Sequence, residues 1–249
     1  MIGGRSILVV CPARGGSKGI PLKNLAPFAG VPLVARVGRL VAEIEGIDRA
    51  VVSTDHPEIA RVARESGLDA PFLRPEAISG DRIGDADVLV HALQEVERLD
   101  GRRYDVVVML QPTSPLRTAE QVVRTIETLV DGGWDSVWTV SETDSKGHPL
   151  KQLCVEGGGA LRFYDPAGEK IVARQQLTSV YHRNGVAYAM TRDCLLEQGS
   201  IQGRKCGAVV LEEELVSIDT PWDLELAEYV FERRGRAPAP SASPEGARR

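Results

Sequence analysis

The chain has 249 residues, 43% of them hydrophobic and 26% charged, with a formal net charge of −5. That is enough for one large domain or two small ones, and too apolar for wholesale disorder. No apolar run approaches the ~18–20 residues that span a bilayer, and the N-terminus enters a strand-like run without a signal-peptide pattern, so a cytoplasmic protein with no membrane contact is expected. Residues 6–11, SILVVC, form a short β-branched run stopped by Pro12, which predicts a buried strand. Pro32 then stands in the first turn of a helix whose apolar stripe is Leu33, Val34, Val37, Leu40, Val41 and Ile44. A second strand is predicted at 49–54, ending at Asp55, and a helix over about 57–66, closed by Gly67. Further along come a helix at about 86–99, a strand at 104–110, a helix opened by Thr118 and a strand at 136–140.

Strands alternating with helices of this length predict an α/β fold with a mostly parallel sheet and flanking helices, whose ligands bind at the carboxyl ends of the strands. From Glu142 to about Arg183 the pattern weakens. Gly157–Gly159 and Pro166–Gly168 read there as turns beside short strands, a hairpin laid outside the main sheet. Returning strands are predicted at 185–191 and 206–211, and a last helix at 221–233. From Gly235 onward the Pro/Ala/Ser-rich tail (235–249) reads as disordered.

Charge is unevenly placed. Before Glu43 there is no acidic residue, only Arg5, Arg14, Lys18, Lys23, Arg36 and Arg39, in a chain that is acidic overall. This predicts a local anion site rather than a nucleic-acid surface. Cys11, Cys154, Cys194 and Cys206 contain no CxxC pair and read as buried thiols; the four histidines have no metal spacing. The cations cluster in ARGGSKGIPLKN, residues 13–24, directly after the first strand. Two adjacent glycines let the backbone approach a ligand, and Arg14, Lys18 and Lys23 with Ser17 suit a triphosphate. It is neither a Walker A loop nor GxGxxG.

Followed in order by LRP at 73–75, LQPTSPLR at 110–117, HPLK at 148–151, RQQL at 174–177, NGVAY at 184–188 and SIDTPWDL at 217–224, this loop resembles that of the CMP-sialic acid synthetases, the acylneuraminate cytidylyltransferases. The likeness covers nearly the whole chain except the tail. It implies a reaction in which the anomeric hydroxyl of a nine-carbon 2-keto-3-deoxy sugar acid attacks the α-phosphorus of CTP, giving the CMP-sugar and pyrophosphate. It also implies a Rossmann-like domain over residues 1–234 with a small β-containing dimerisation arm at about 142–183, and a homodimer in which each arm leans over the partner's site.

Carried over position by position, the resemblance implies that Arg14, Gly15, Ser17, Lys18 and Lys23 hold phosphate, with Arg14 and Lys23 catalytic. Asn24 would meet the nucleotide's sugar or base, and Arg74 the cytosine. Gln111 and Thr113 would touch sugar and nucleotide; Lys151, Arg174 and Tyr188 would form the acid-sugar pocket, and Asp219 would coordinate Mg2+. The chain departs from the family pattern at Ser217, where an aspartate is common, at Asp85, where serine is, and at His182–Arg183, where Arg-Pro is. Asp219 alternatively caps the last helix. Two other readings stay open: an eight-carbon Kdo-type acceptor, and a non-catalytic nucleotide-sugar binding protein.

Overall fold

The run ILVVCP forms a strand whose first five residues are fully buried, with a parallel neighbour on each side. A computed structural model describes residues 1–236. In chain order it contains β1 (Ile7–Pro12), the two-residue pair β2 (Pro27–Phe28) and β3 (Val31–Pro32), α1 (Leu33–Ala42), β4 (Arg49–Ser53), α2 (Pro57–Glu65), α3 (Asp85–Asp100) and β5 (Val106–Met109). Then follow α4 (Ala119–Gly132), β6 (Ser136–Glu142), the hairpin β7 (Leu153–Val155) and β8 (Leu161–Phe163), β9 (Tyr181–Thr191), α5 (Arg192–Leu196), β10 (Cys206–Val210) and α6 (Pro221–Arg236). The tail reading falls on residues that, beyond Arg236, lie outside the described ones; Gly235 continues α6 instead of ending it.

Six strands make one sheet in the order β10-β6-β9-β5-β1-β4. The pairs β1–β4, β1–β5 and β10–β6 are parallel, while β9 runs antiparallel to both β5 and β6. Period-two alternation sends Ile7, Val9 and Cys11 to one face and Leu8 and Val10 to the other, every one of them fully buried. On the first face they meet α1, α2 and α4 through Val37, Ile59 and Ile126. On the second they meet α3 and α5 through Leu89, Leu93 and Leu195. Burial of each such side chain contributes roughly 1.5–3 kcal/mol, which is why strands covered on both faces read as continuous apolar runs.

Helix α4 starts where expected. The Thr118 side chain accepts from Gln121 N–H while the Gln121 side chain accepts from Thr118 N–H, a reciprocal cap. The β7–β8 hairpin turns through Gly157–Gly159 and stands outside the main sheet. The largest boundary differences from the sequence expectation are in β9, which begins at Tyr181, and β6, which extends to Glu142 because the two pair along that extra length. Pro32 ends β3 and caps α1 rather than entering its first turn, and α1 stops before Ile44. Pro166–Gly168 opens a 3₁₀ turn to Lys170. Cys11 and Cys194 are buried, but Cys154 and Cys206 are only half-buried, a correction to the expectation for all four. Among the described residues no helix is long and apolar enough to cross a membrane.

Candidate active site

Parallel strands β1 and β5 end side by side, and the loops that leave them form the walls of a cleft of about 520 Å³. The loop after β1 contributes Arg14, Ser17, Lys18, Lys23 and Asn24; the loop after β5 contributes Gln111 and Thr113; the segment before α6 contributes Ser217 and Asp219. Eight of the residues expected from the sequence therefore share one cavity. Ile218 N–H donates to Thr113 O at 2.8 Å and ties two of these walls together. Gly19 packs so closely on the segment before α6 that a Cβ there would collide with the Asp219 carbonyl.

Lys23 is largely buried, 14% exposed, and its Nζ donates to Asp219 Oδ1 and to Ile218 O, each at 2.8 Å. Asp219 itself is 77% exposed and presents its carboxylate to the cleft. It does not cap α6. That task falls to Thr220 and Asp223: Asp223 N–H donates to Thr220 Oγ1, and Asp223 Oδ2 accepts from Thr220 N–H. Asn24 is buried and its Nδ2 donates to Arg14 O at 2.9 Å, so it braces the loop as well as lining the cleft. Gly15 departs from expectation. Its N–H points to Asp55 Oδ1 at 2.8 Å, at the end of β4, rather than into the cleft, and it is not among the lining residues.

Arg74 departs from expectation in not lining this cleft: it is 6% exposed and held at the end of β4 by a bond from its guanidinium to Ser53 O. Burial lowers its pKa, with Asp55 pulling the other way. Beside it Cys11 is a buried thiol pushed up to about 12 by desolvation, against the pull of Arg117 and Arg74, so it is no nucleophile.

Arg117 is a residue that sequence reasoning does not single out, although it closes the segment LQPTSPLR. It is buried, and desolvation takes its guanidinium down to about 10. Its Nη2 donates to Gln111 O and, at 3.0 Å, to Gly185 O. Among the described residues no carboxylate pairs with it. The only signal was a cation placed directly after apolar Leu116.

NGVAY explains itself as a bulge. The β6–β9 register shifts between Trp138 and Val140, and Asn184 fills the irregularity. Its Oδ1 accepts from Thr139 Oγ1 at 2.6 Å and its backbone O from Ser114 Oγ at 3.0 Å. Gly185 has φ +74° and faces Ser114 and Gln111 with no room for a side chain. Tyr188 belongs to this framework: it is 1% exposed, its ring packs edge-on against Trp138, and its hydroxyl accepts from Gly185 N–H at 2.8 Å. The expected contact of Tyr188 with a sugar is therefore replaced by a core position, which supports the bulge that faces Gln111.

Lys151 and Arg174 are exposed on the segment between β6 and β9, and neither lines the cleft of its own chain. Arg174 instead flanks a smaller hollow with Asp144 and His148. Asp85 opens α3 and sits 3.4 Å from Arg183, whose guanidinium lies over the rings of Trp138 and Tyr188 at 5.0 and 5.1 Å. For a divalent cation the chain offers the Asp219 carboxylate with the Ser217 hydroxyl on the same wall; no group of three or more His, Cys, Asp or Glu gathers among the described residues. Such a set fits Mg2+ that shares its shell with a triphosphate, since hard cations take phosphate oxygens and need only one or two carboxylates.

Comparison with known proteins agrees with this geometry. Residues 8–234 match the family model described as Cytidylyltransferase. The chain is 34% identical over 236 residues to N-acylneuraminate cytidylyltransferase A of Danio rerio, covering 93% of this chain and 52% of that protein, so it spans about half the length of the fish relative. It is 30% identical to the pseudaminic acid cytidylyltransferase of Campylobacter jejuni, covering 90% of this chain and 95% of that one. The fold is shared with a CMP:2-keto-3-deoxy-manno-octonic acid synthetase solved with CTP, at a TM-score of 0.69 and 19% identity, over 92% of this chain and 99% of the other. A lysine-lined cleft at the ends of β1 and β5, together with these matches over almost the whole described chain, places the protein in the cytidylyltransferase family, among the relatives of the CMP-sialic acid synthetases.

Proposed function

We propose that this protein transfers a cytidylyl group from CTP to the anomeric hydroxyl of a nine-carbon 2-keto-3-deoxy sugar acid. The hydroxyl oxygen bonds to the α-phosphorus, the bond from that phosphorus to the bridging oxygen breaks, pyrophosphate leaves, and the hydroxyl proton passes to solvent. The observation that carries this reading is the gathering of Arg14, Lys18 and Lys23 with Gln111 and Asp219 around one cleft. Cations aimed at a triphosphate stabilise the charge that moves onto the leaving pyrophosphate. Lys23 is the one best held for that task, and Arg14 works beside it. The family resemblance is what assigns Arg74 to the cytosine, a role its fork of N–H donors would suit.

Mg2+, when bound, would neutralise phosphate charge; Asp219 would hold it, with Ser217 contributing a neutral oxygen in place of a second carboxylate. The test is pyrophosphate release measured with CTP, UTP and ATP across N-acetylneuraminic, Kdn, legionaminic, pseudaminic and Kdo acids. Release is expected with CTP and one or more of the nine-carbon acids. CTP binding without release for any acid would support the non-catalytic reading, and preference for Kdo would move the acceptor to eight carbons.

The working unit we propose is a cytoplasmic homodimer. Lys151 and Arg174 do not line their own cleft, and the segment that carries them exposes Leu153, Val155, Leu161, Tyr164 and Val172, the last 89% exposed. Apolar side chains this exposed along one segment outside the main sheet fit an interaction surface. Light scattering is expected to give about twice the chain mass, and replacing Val155 and Leu161 together by aspartate should return it to the monomer. A monomeric mass for the unaltered protein would refute the assignment.

A further inference from the structure

Asp81 lies on the loop between the 3₁₀ turn at Glu76–Ile78 and α3, and it reaches across to the loop after β1. Its Oδ1 accepts from Arg14 Nη1 at 2.6 Å, and its Oδ2 stands 2.5 Å from Lys18 Nζ. One carboxylate thus gives a separate oxygen to each of two cleft cations. Those two bonds hold its carboxyl below the usual carboxylate range, so it is charged wherever the protein works. Arg14 and Lys18 have no other carboxylate within ion-pair distance among the described residues, and Arg14 also feels the like charge of Arg74.

We infer that Asp81 is a positioning residue that acts as an exchangeable counter-ion for the phosphate cradle. It holds Arg14 and Lys18 side by side, gives them up when a triphosphate engages them, and recaptures them as pyrophosphate departs. The inference rests on the reading of the cleft as a triphosphate site. Its physical content is electrostatic competition: Asp81 neutralises charge on Arg14 and Lys18 and repels an incoming phosphate, so phosphate binding is weakened by the presence of the carboxylate. Partly exposed ion pairs contribute little to folding, so removing the carboxylate acts on ligand affinity and not on the fold.

The experiment is calorimetry of pyrophosphate and of CTP on the full chain, with Asp81→Asn and Asp81→Glu. Asp81→Asn keeps the side chain's shape without its charge, and is expected to tighten pyrophosphate binding by about 3–10-fold, the range to which two partly exposed ion pairs convert. CTP binding should tighten in parallel, and Asp81→Glu should restore affinities to within about twofold, since the charge is the operative feature. A residue that merely braced the loop would do the opposite and weaken both ligands on substitution. Unchanged or weaker binding by Asp81→Asn overturns the inference. Because the readout is binding, it stands apart from the turnover assay: a protein that binds CTP yet releases no pyrophosphate still reports on Asp81.

Discussion

Replacing Lys23 by alanine is expected to lower turnover by about 10²–10³-fold at saturating substrates, the usual effect of deleting one preorganised electrostatic stabiliser. At 1.36 kcal/mol per decade that is roughly 2.7–4 kcal/mol of transition-state stabilisation. The argument is positional. The ammonium is fixed by two acceptors, Ile218 O and Asp219 Oδ1, so it meets a developing charge without having to find its place first. The fold should survive, because the side chain's partners sit at the edge of a cleft and Asp219 remains largely exposed to water. Pyrophosphate release together with a melting curve distinguishes the two effects. Near-native turnover with an unchanged melt would remove Lys23 from the chemistry.

The second large effect is expected at Gly185. An alanine there must adopt φ +74° and carry a Cβ that collides with Ser114 Oγ and stands 3.1 Å from Gln111 Oε1. Left-handed strain costs about 1–2 kcal/mol for a non-glycine residue, and overpacking a well-filled site about 1–3 kcal/mol more. A total loss of roughly 2–5 kcal/mol should lower the melting temperature by about 4–20 °C in a chain of this size. Gly4→Ala supplies the control: its φ is also +74°, yet nothing lies within 4 Å of the added carbon, so only the strain should register. Equal melting shifts for the two variants would mean that the contact with the loop after β5 is softer than its geometry implies. Activity should fall in Gly185→Ala beyond what stability explains, since the displaced Gln111 lines the cleft.

Much of this architecture was legible from the amino-acid order, and the residues that were not share a cause. Strands β1 and β5 announce themselves because both faces are covered and every side chain is apolar. The helix at Thr118 is equally readable, since its cap is built from neighbours three residues apart. Those are local rules. Gly15 turning to Asp55, Asp81 bridging Arg14 and Lys18, and Arg117 donating to Gly185 O within β9 join residues 40 to 68 positions apart. No periodicity encodes such partners, because polar contacts at this distance depend on where the sheet brings the loops. Tyr188 shows the same limit from the other side. Its motif was recognised, but whether the hydroxyl meets a ligand or Gly185 N–H is decided by the bulge, which arises from pairing with a strand some 45 residues earlier.

The position of β9 bears on how the chain can be assembled during synthesis. This strand lies between β5 and β6, although both precede it, and β6 with β10 joins the sheet only through it. A nascent polypeptide that has emerged as far as Val180 can pair β4, β1 and β5, but it leaves the outer border of Val106–Met109 without a hydrogen-bonding neighbour. That border is wholly apolar, and such an edge recruits other chains. The half-built sheet must therefore be shielded until residues 181–191 leave the ribosome and close it, so yield in the cell should hinge on the speed with which this one late segment is delivered.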